Sequence, residues 1–138
     1  MRTLSLLQPW ATLVAIGAKQ IETRSWATSY RGPVAIHASL GFPRSARNLC
    51  FEEPFCDALQ AAGYDLDVLD LPRGVIIATA TIEAIVPMRE LVAMPTEPER
   101  SFGDYAPGRF AWFLGDINPL VVPIPAKGKL GLWECSLL

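Results

Sequence analysis

Histidine is almost absent from this chain. His37 stands alone, and Cys50, Cys56 and Cys135 are its only cysteines. No paired cysteine or histidine spacing of the metal-ligand kind occurs, so the sequence offers no basis for a structural zinc site or a zinc-deaminase centre. An odd cysteine count without a framework reads as free thiols in a reducing compartment. Phosphate-loop, dinucleotide and nucleophile-elbow motifs are missing as well. The stretch Lys127-Gly128-Lys129-Leu130-Gly131 lacks both the leading glycine of a phosphate loop and the hydroxyl residue after its lysine. Neither a metal nor a cofactor is therefore expected. Long apolar runs are missing too: none reaches the roughly 18 residues that span a bilayer. The apolar run near Met1 is too short for a signal peptide. The expectation is a cytoplasmic protein with no membrane partner.

Charge of one sign is also lacking. Twelve basic and 14 acidic residues give a net charge of −2. Strong nonspecific binding of duplex DNA rests on neutralising phosphates, and this balance does not supply it. A locally basic pocket for one nucleotide or a short single strand stays open, because a chain average says little about a cleft.

What is present is enough for a core. Apolar residues make up 51% of the chain and charged residues 19%, which suits one domain over residues 1–138. Thr3–Gln8 reads as a strand. Pro9 starts a short helix carrying Trp10, Leu13 and Val14 on one face, with Gly17 as its stop and Lys19 just beyond, near the negative end of the helix dipole. Gln20–Trp26 alternates, placing Glu22, Arg24 and Trp26 on one side of a strand. Val34–Ala38 is strand-like, with His37 and Ser39 at its exit. Residues 43–71 are the least strand-like and read as a helical or loop insertion, interrupted by Pro54. Val75–Val86, rich in β-branched residues, reads as a central strand. A short helix is expected at Met88–Met94 and an aromatic strand at Gly108–Leu114. Gly115–Pro119 reads as a break, followed by an edge strand at Leu120–Ile124 and a closing strand at Leu130–Leu137. Six or seven strands and two or three helices without regular alternation predict a mainly β (α+β) fold, a small mixed or antiparallel barrel. Phe42, Phe51, Phe55 and Leu138 suit either core or an interface, so the oligomeric state stays open.

The stretch Gly17–Trp26 (GAKQIETRSW) packs three ionisable side chains among apolar neighbours. It suits either a surface ion-pair network or the rim of a polar cleft. Lys19 offers a point charge, or a base if desolvated; Arg24 offers a planar fork for an anion or base edge. Trp10 and Trp26 offer faces on which a nucleobase can stack.

Gly17-Ala18-Lys19-Gln20-Ile21-Glu22-Thr23-Arg24 resembles the GxKxxExR signature of the ASCH domain family, within the PUA-like superfamily. Leu6–Trp10, Gly32–Ser39, Gly108–Trp112 and Lys127–Glu134 are similar to bacterial and phage-type members. The resemblance implies a small β-barrel of the PUA-like kind with two or three inserted helices and a cleft on one side. It implies that Lys19, Glu22 and Arg24 line that cleft; Trp10, Trp26 and Ser39 are further candidate ligand-binding positions from the residues themselves. Its implied partners are RNA, single-stranded nucleic acid or a modified nucleoside. One branch of the family hydrolyses acetylated cytidine with a lysine, a threonine and a glutamate. The lysine corresponds to Lys19, but Glu22 stands where that branch has its threonine, and only Glu83 and Glu90 offer themselves as third member. Ribonuclease activity is also known in the family, and for it His37 with Lys19 is the acid–base pair. The expected function is thus a binding module, with a small hydrolase using Lys19, Glu22 and His37 as the alternative.

Overall fold

In the computed structural model, which describes residues 1–136, the chain order follows the hydrophobic pattern closely. The strands are β1 (Arg2–Leu6), β2 (Ile21–Arg24), β3 (Gly32–Ala38), β4 (Val75–Pro87), β5 (Phe110–Pro125) and β6 (Leu132–Glu134). The α-helices are α1 (Trp10–Ala15), α2 (Arg44–Leu49), α3 (Phe55–Ala61) and α4 (Glu99–Phe102), with 3₁₀ turns at Leu66–Val68 and Met88–Glu90. The strands form one sheet in the order β2-β5-β4-β3-β1-β6. β1 and β3 run parallel, and the remaining pairs are antiparallel. The mainly β, mixed α+β class expected from the sequence is the one observed. It is a curled half-barrel, since β2 and β6 end the sheet without pairing to each other.

A side chain reports how far the sheet curls. Three strands separate β2 from β1 in the sheet order, yet the Arg24 guanidinium on β2 donates to the Ser5 carbonyl on β1 at 2.7 Å. Arg24 therefore spans the open seam of the half-barrel.

Register shifts make that curvature. β4 and β5 pair from Val75↔Pro125 to Pro87↔Phe110, interrupted by bulges near Ile76/Ala78, Thr79/Thr81 and Ile82/Ala84. A bulge adds twist and bends a long strand without ending it. This corrects the break expected at Gly115–Pro119: Gly115, Asn118 and Pro119 all keep partners in β4, so β5 is one strand of 16 residues. Pro119, Pro123 and Pro125 are tolerated because β2 pairs only with Phe110–Phe113 and the Gln20 carbonyl takes the Leu114 N–H, so the prolines lie beyond the covered part of that edge.

Parallel β1 and β3 need a crossover, and the segment containing α1 and β2 provides it. Five residues of α1, Ala11 to Ala15, are buried against β1, β3, β4 and β5. Pro9 caps nothing through its side chain, but Gln8, fully buried, accepts from the Thr12 N–H at 2.9 Å and donates to the Pro72 carbonyl at 2.7 Å. One orphan donor of the first turn is thereby satisfied. Gly17 ends the helix with φ +81, the left-handed conformation that favours glycine.

The main core joins α1 to the sheet through Leu4, Leu6, Val14, Ile36, Ile82 and Trp112. A second cluster gathers Leu13, Cys50, Phe55, Leu59, Leu71 and Phe102, tying α2 and α3 to α1 and α4. Residues 43–71 contribute helices and a 3₁₀ turn but no strand. Phe55 belongs to this core and Phe42 packs against it, whereas Phe51 is exposed. Leu138 and the end of the expected Leu130–Leu137 strand lie outside the described residues. The short helix expected at Met88–Met94 is only the 3₁₀ turn, and α4 arises instead in the polar segment after it. No described helix is long and apolar enough to cross a membrane.

Candidate functional site

β2 is an edge strand, and its free side is covered by residues 99–109. The Glu99 carboxylate accepts from the Gln20 N–H at 2.7 Å. Thr23 Oγ1 accepts from the Asp104 N–H at 3.0 Å, and Arg109 donates to the Thr23 carbonyl at 3.2 Å. Unpaired strand groups are thus satisfied by side chains and turn backbone.

Lys19 is the centre of this attachment. Its side chain is wholly buried, and Nζ donates to the carbonyls of Ile21 at 2.6 Å and Phe102 at 3.1 Å. Glu22 Oε1 lies 3.6 Å from Nζ. Burial lowers the Lys19 pKa below the usual ammonium range, and the Glu22 carboxylate opposes that shift. The ammonium is thus held by the Ile21 and Phe102 carbonyls and not by a carbonyl of α1.

Glu22 holds both basic residues of the motif. Its Oε2 lies 3.0 Å from Arg24 Nη2 and accepts from Nε at 3.1 Å, while Oε1 accepts from the Thr23 N–H at 3.1 Å. Alternation along β2 sets Glu22 and Arg24 side by side, as the sequence spacing predicts. Arg24 keeps 21% of its side chain accessible, and Lys19 none.

A cavity of about 480 Å³ opens over this network. Glu22, Thr23 and Arg24 form its polar floor, Ser5 and Ser39 one side, and Trp10, Phe55 and Phe102 an aromatic wall. Asp104 and Arg109 close the far side. The volume lies within the range of small-molecule sites, and an apolar wall with a few placed polar groups is their usual make-up.

Trp10, Glu22, Arg24 and Ser39, all proposed from the sequence, line this cavity. Lys19 lies behind its floor and is not among the lining residues. Trp26 is elsewhere: its ring meets Trp112 edge-on at 4.9 Å between centroids, and its carbonyl accepts from the Trp112 indole N–H at 3.3 Å. β2 ends at Arg24, so the alternation that put Trp26 beside it does not continue. His37 lies in a neighbouring pocket, away from Lys19. Its Nε2 faces the Ala126 carbonyl at 2.8 Å, and that oxygen can only accept, so Nε2 carries a proton. Nδ1 pairs with the Ser5 hydroxyl at 2.9 Å, and Ser5 Oγ accepts from the Trp133 indole at 3.0 Å.

Sequence reasoning missed Phe102, Asp104 and Arg109. They follow β2 by some 80 residues, as the Thr23–Asp104 and Thr23–Arg109 bonds show; Phe102 and Asp104 sit in a segment without periodicity, and Arg109 stands at the start of the aromatic strand. Glu83 and Glu90 line neither this cavity nor the pocket holding His37. Among the described residues no group of three histidines, cysteines or carboxylates is placed to hold a metal ion.

The ASCH domain model matches residues 4–118, most of the chain. The chain belongs to the ASCH domain family. Within that family the curled mixed sheet is its PUA-like α+β fold. The chain is 26% identical over 137 residues to the human Activating signal cointegrator 1, covering 95% of this chain and 22% of that protein. To the mouse protein of the same name it is 26% identical over 132 residues, with the same shares. It thus spans about a fifth of the length of these curated relatives. A crystal structure of an ASCH protein mutant from Zymomonas mobilis aligns with a TM-score of 0.48 at 20% identity, covering 90% of this chain and 72% of that one. In this ASCH domain the signature divides its labour: Glu22 and Arg24 reach the cavity, while Lys19 fastens β2 to the last residue of α4.

Proposed function

We propose that this ASCH domain binds RNA or a modified nucleotide, taking one nucleobase into the cavity over Glu22 and Arg24. The observation that carries the reading is the pairing of an aromatic wall, Trp10, Phe55 and Phe102, with a fixed donor–acceptor floor in one cavity. A base has two apolar faces and a polar edge, and such a cavity meets both. Arg24 is held by Glu22 and the Ser5 carbonyl, so its guanidinium is oriented before a ligand arrives. Pre-organisation lowers the entropy lost on binding.

Lys19 supports the site by holding β2 in place, and it has no route to the ligand through its two carbonyl partners. The roles of Glu22 and Arg24 are then recognition, with Trp10 and Ser39 beside them. The reading is tested by titrating short single-stranded RNAs and the ribonucleosides, acetylcytidine included, against Trp10→Ala and Arg24→Ala. Loss of one base–aromatic stack weakens affinity roughly five- to 150-fold. Equal affinity of both variants and the parent would sink the assignment of this cavity.

A further inference from the structure

Beside the aromatic cavity lies a second pocket of about 470 Å³. The two share Ser5, Arg24 and Ser39. They therefore meet at the place where Arg24 bridges the seam of the half-barrel. The character of the second is different. Its charged lining is Arg24, Lys127 and Lys129, and no carboxylate lines it. In a chain of net charge −2 this is a local reversal of sign. Four basic side chains meet a carboxylate: Lys19 and Arg24 meet Glu22, Arg2 meets Glu134, and Arg109 meets Asp104. Lys127 and Lys129 are exposed and make no ion pair among the described residues.

The strap carrying these lysines is anchored from beneath at both ends. Ala126 before it accepts from His37, and Trp133 after it donates to Ser5, which is hydrogen-bonded to His37. One buried network thus fixes the entry and the exit of the strap. Between the lysines, Gly128 rests directly on that network. A Cβ there would stand 2.7 Å from His37 Cε1 and 3.0 Å from Ser5 Oγ. Only glycine lets the backbone lie this close to the imidazole. The sequence Lys-Gly-Lys therefore makes sense as a pressed-down centre with a cation on either side.

We propose that this second pocket is a phosphate subsite, formed by Arg24, Lys127 and Lys129 and floored by the His37–Ser5 network. It takes the phosphate of the nucleotide whose base enters the aromatic cavity, with Arg24 common to both. The inference rests on the nucleotide-binding reading of the first cavity. Two sources offer the same chemistry: the terminal phosphate of a mononucleotide and a backbone phosphodiester of single-stranded RNA.

Calorimetric titration separates the possibilities. The probes are the four ribonucleosides, their 5′- and 3′-monophosphates, four-nucleotide homopolymer RNAs and inorganic phosphate. Each is run against the parent protein and a Lys127→Ala/Lys129→Ala double variant, whose exposed side chains leave the fold intact. Phosphorylated probes are expected to bind the parent about tenfold or more tighter than the nucleosides. The double variant should erase that advantage and leave nucleoside affinity unchanged. With RNA, the salt dependence should flatten by about 0.7 in slope for each lysine removed. Tighter binding of homopolymers than of monophosphates identifies the backbone as the source; the reverse identifies a terminal phosphate. A parent that binds nucleosides and monophosphates equally, or a double variant that keeps the full advantage, overturns the subsite while leaving the base cavity standing. Binding of inorganic phosphate or RNA that depends on the lysines, with no response to nucleosides, supports the subsite and overturns the base cavity. Silence from every probe overturns both.

Discussion

Replacing Lys19 by methionine keeps most of the apolar stem and removes the ammonium. Two carbonyls, Ile21 and Phe102, then lose a charged donor at 2.6 and 3.1 Å. Leaving a buried acceptor unpaired costs about 1–3 kcal/mol each. Glu22 also loses a cation at 3.6 Å but keeps Arg24 at 3.0 Å, so its carboxylate is not stranded. Against these losses stands the desolvation of the ammonium, which the variant no longer bears. The net destabilisation is about 2–4 kcal/mol, or a fall in Tm of roughly 10 °C for a chain of this size. The same burial gives a pH signature. The folded-state pKa of Lys19 is depressed, so above it the unfolded chain holds the proton that the folded chain has released. The stability of the parent relative to Lys19→Met should therefore rise with pH between that lowered value and the ordinary 10.5. Thermal melts across pH give both numbers, and ligand affinity well below the melt gives the third. Affinity should fall only as far as β2 loosens. An unchanged Tm with complete loss of binding or turnover would refute the placement of Lys19 behind the cavity floor and restore it as a ligand contact.

Three further substitutions probe separate joints. Arg24→Lys keeps the charge but loses the fork that joins Glu22 to the Ser5 carbonyl, so binding should fall nearly as far as in Arg24→Ala, measured by titration. Gly128→Ala drives a methyl into His37 and Ser5 and should lift the strap, seen as a shifted Trp133 indole resonance and a lost preference for phosphorylated probes. Glu99→Ala uncovers the Gln20 N–H and should speed its hydrogen exchange while costing about 1 kcal/mol of stability in denaturant titration.

Local pattern and long-range partners were legible to different degrees. The helix at Trp10 with its glycine stop, the strand at Val34 and the long strand from Val75 follow from periodicity and turn residues, and they are where those signals put them. Gly115–Pro119 looked like a break because glycine, asparagine and proline mark turns; bulges absorb the same residues within one strand. Glu22 beside Arg24 is a two-residue spacing, so it was readable. The burial of Lys19 was not, since its second carbonyl partner lies 83 residues further on. For the same reason Phe102, Asp104 and Arg109, which complete the cavity lining, carry no signal near the motif. Trp26 misled because alternation was extended past Arg24, where the strand stops and the indole turns to Trp112.

The four tryptophans provide the most direct test of the central claim, that a nucleotide sits over Glu22 and Arg24 with its base against Trp10. Each indole N–H gives one resonance in a ¹⁵N–¹H correlation spectrum. Trp10 lines the cavity, Trp133 is bonded to Ser5 where the two pockets meet, and Trp26 and Trp112 pack together outside both. Titration with ribonucleoside monophosphates should move the Trp10 and Trp133 indoles and leave those of Trp26 and Trp112 in place. Saturable shifts confined to Trp26 and Trp112, with Trp10 unmoved, would contradict it.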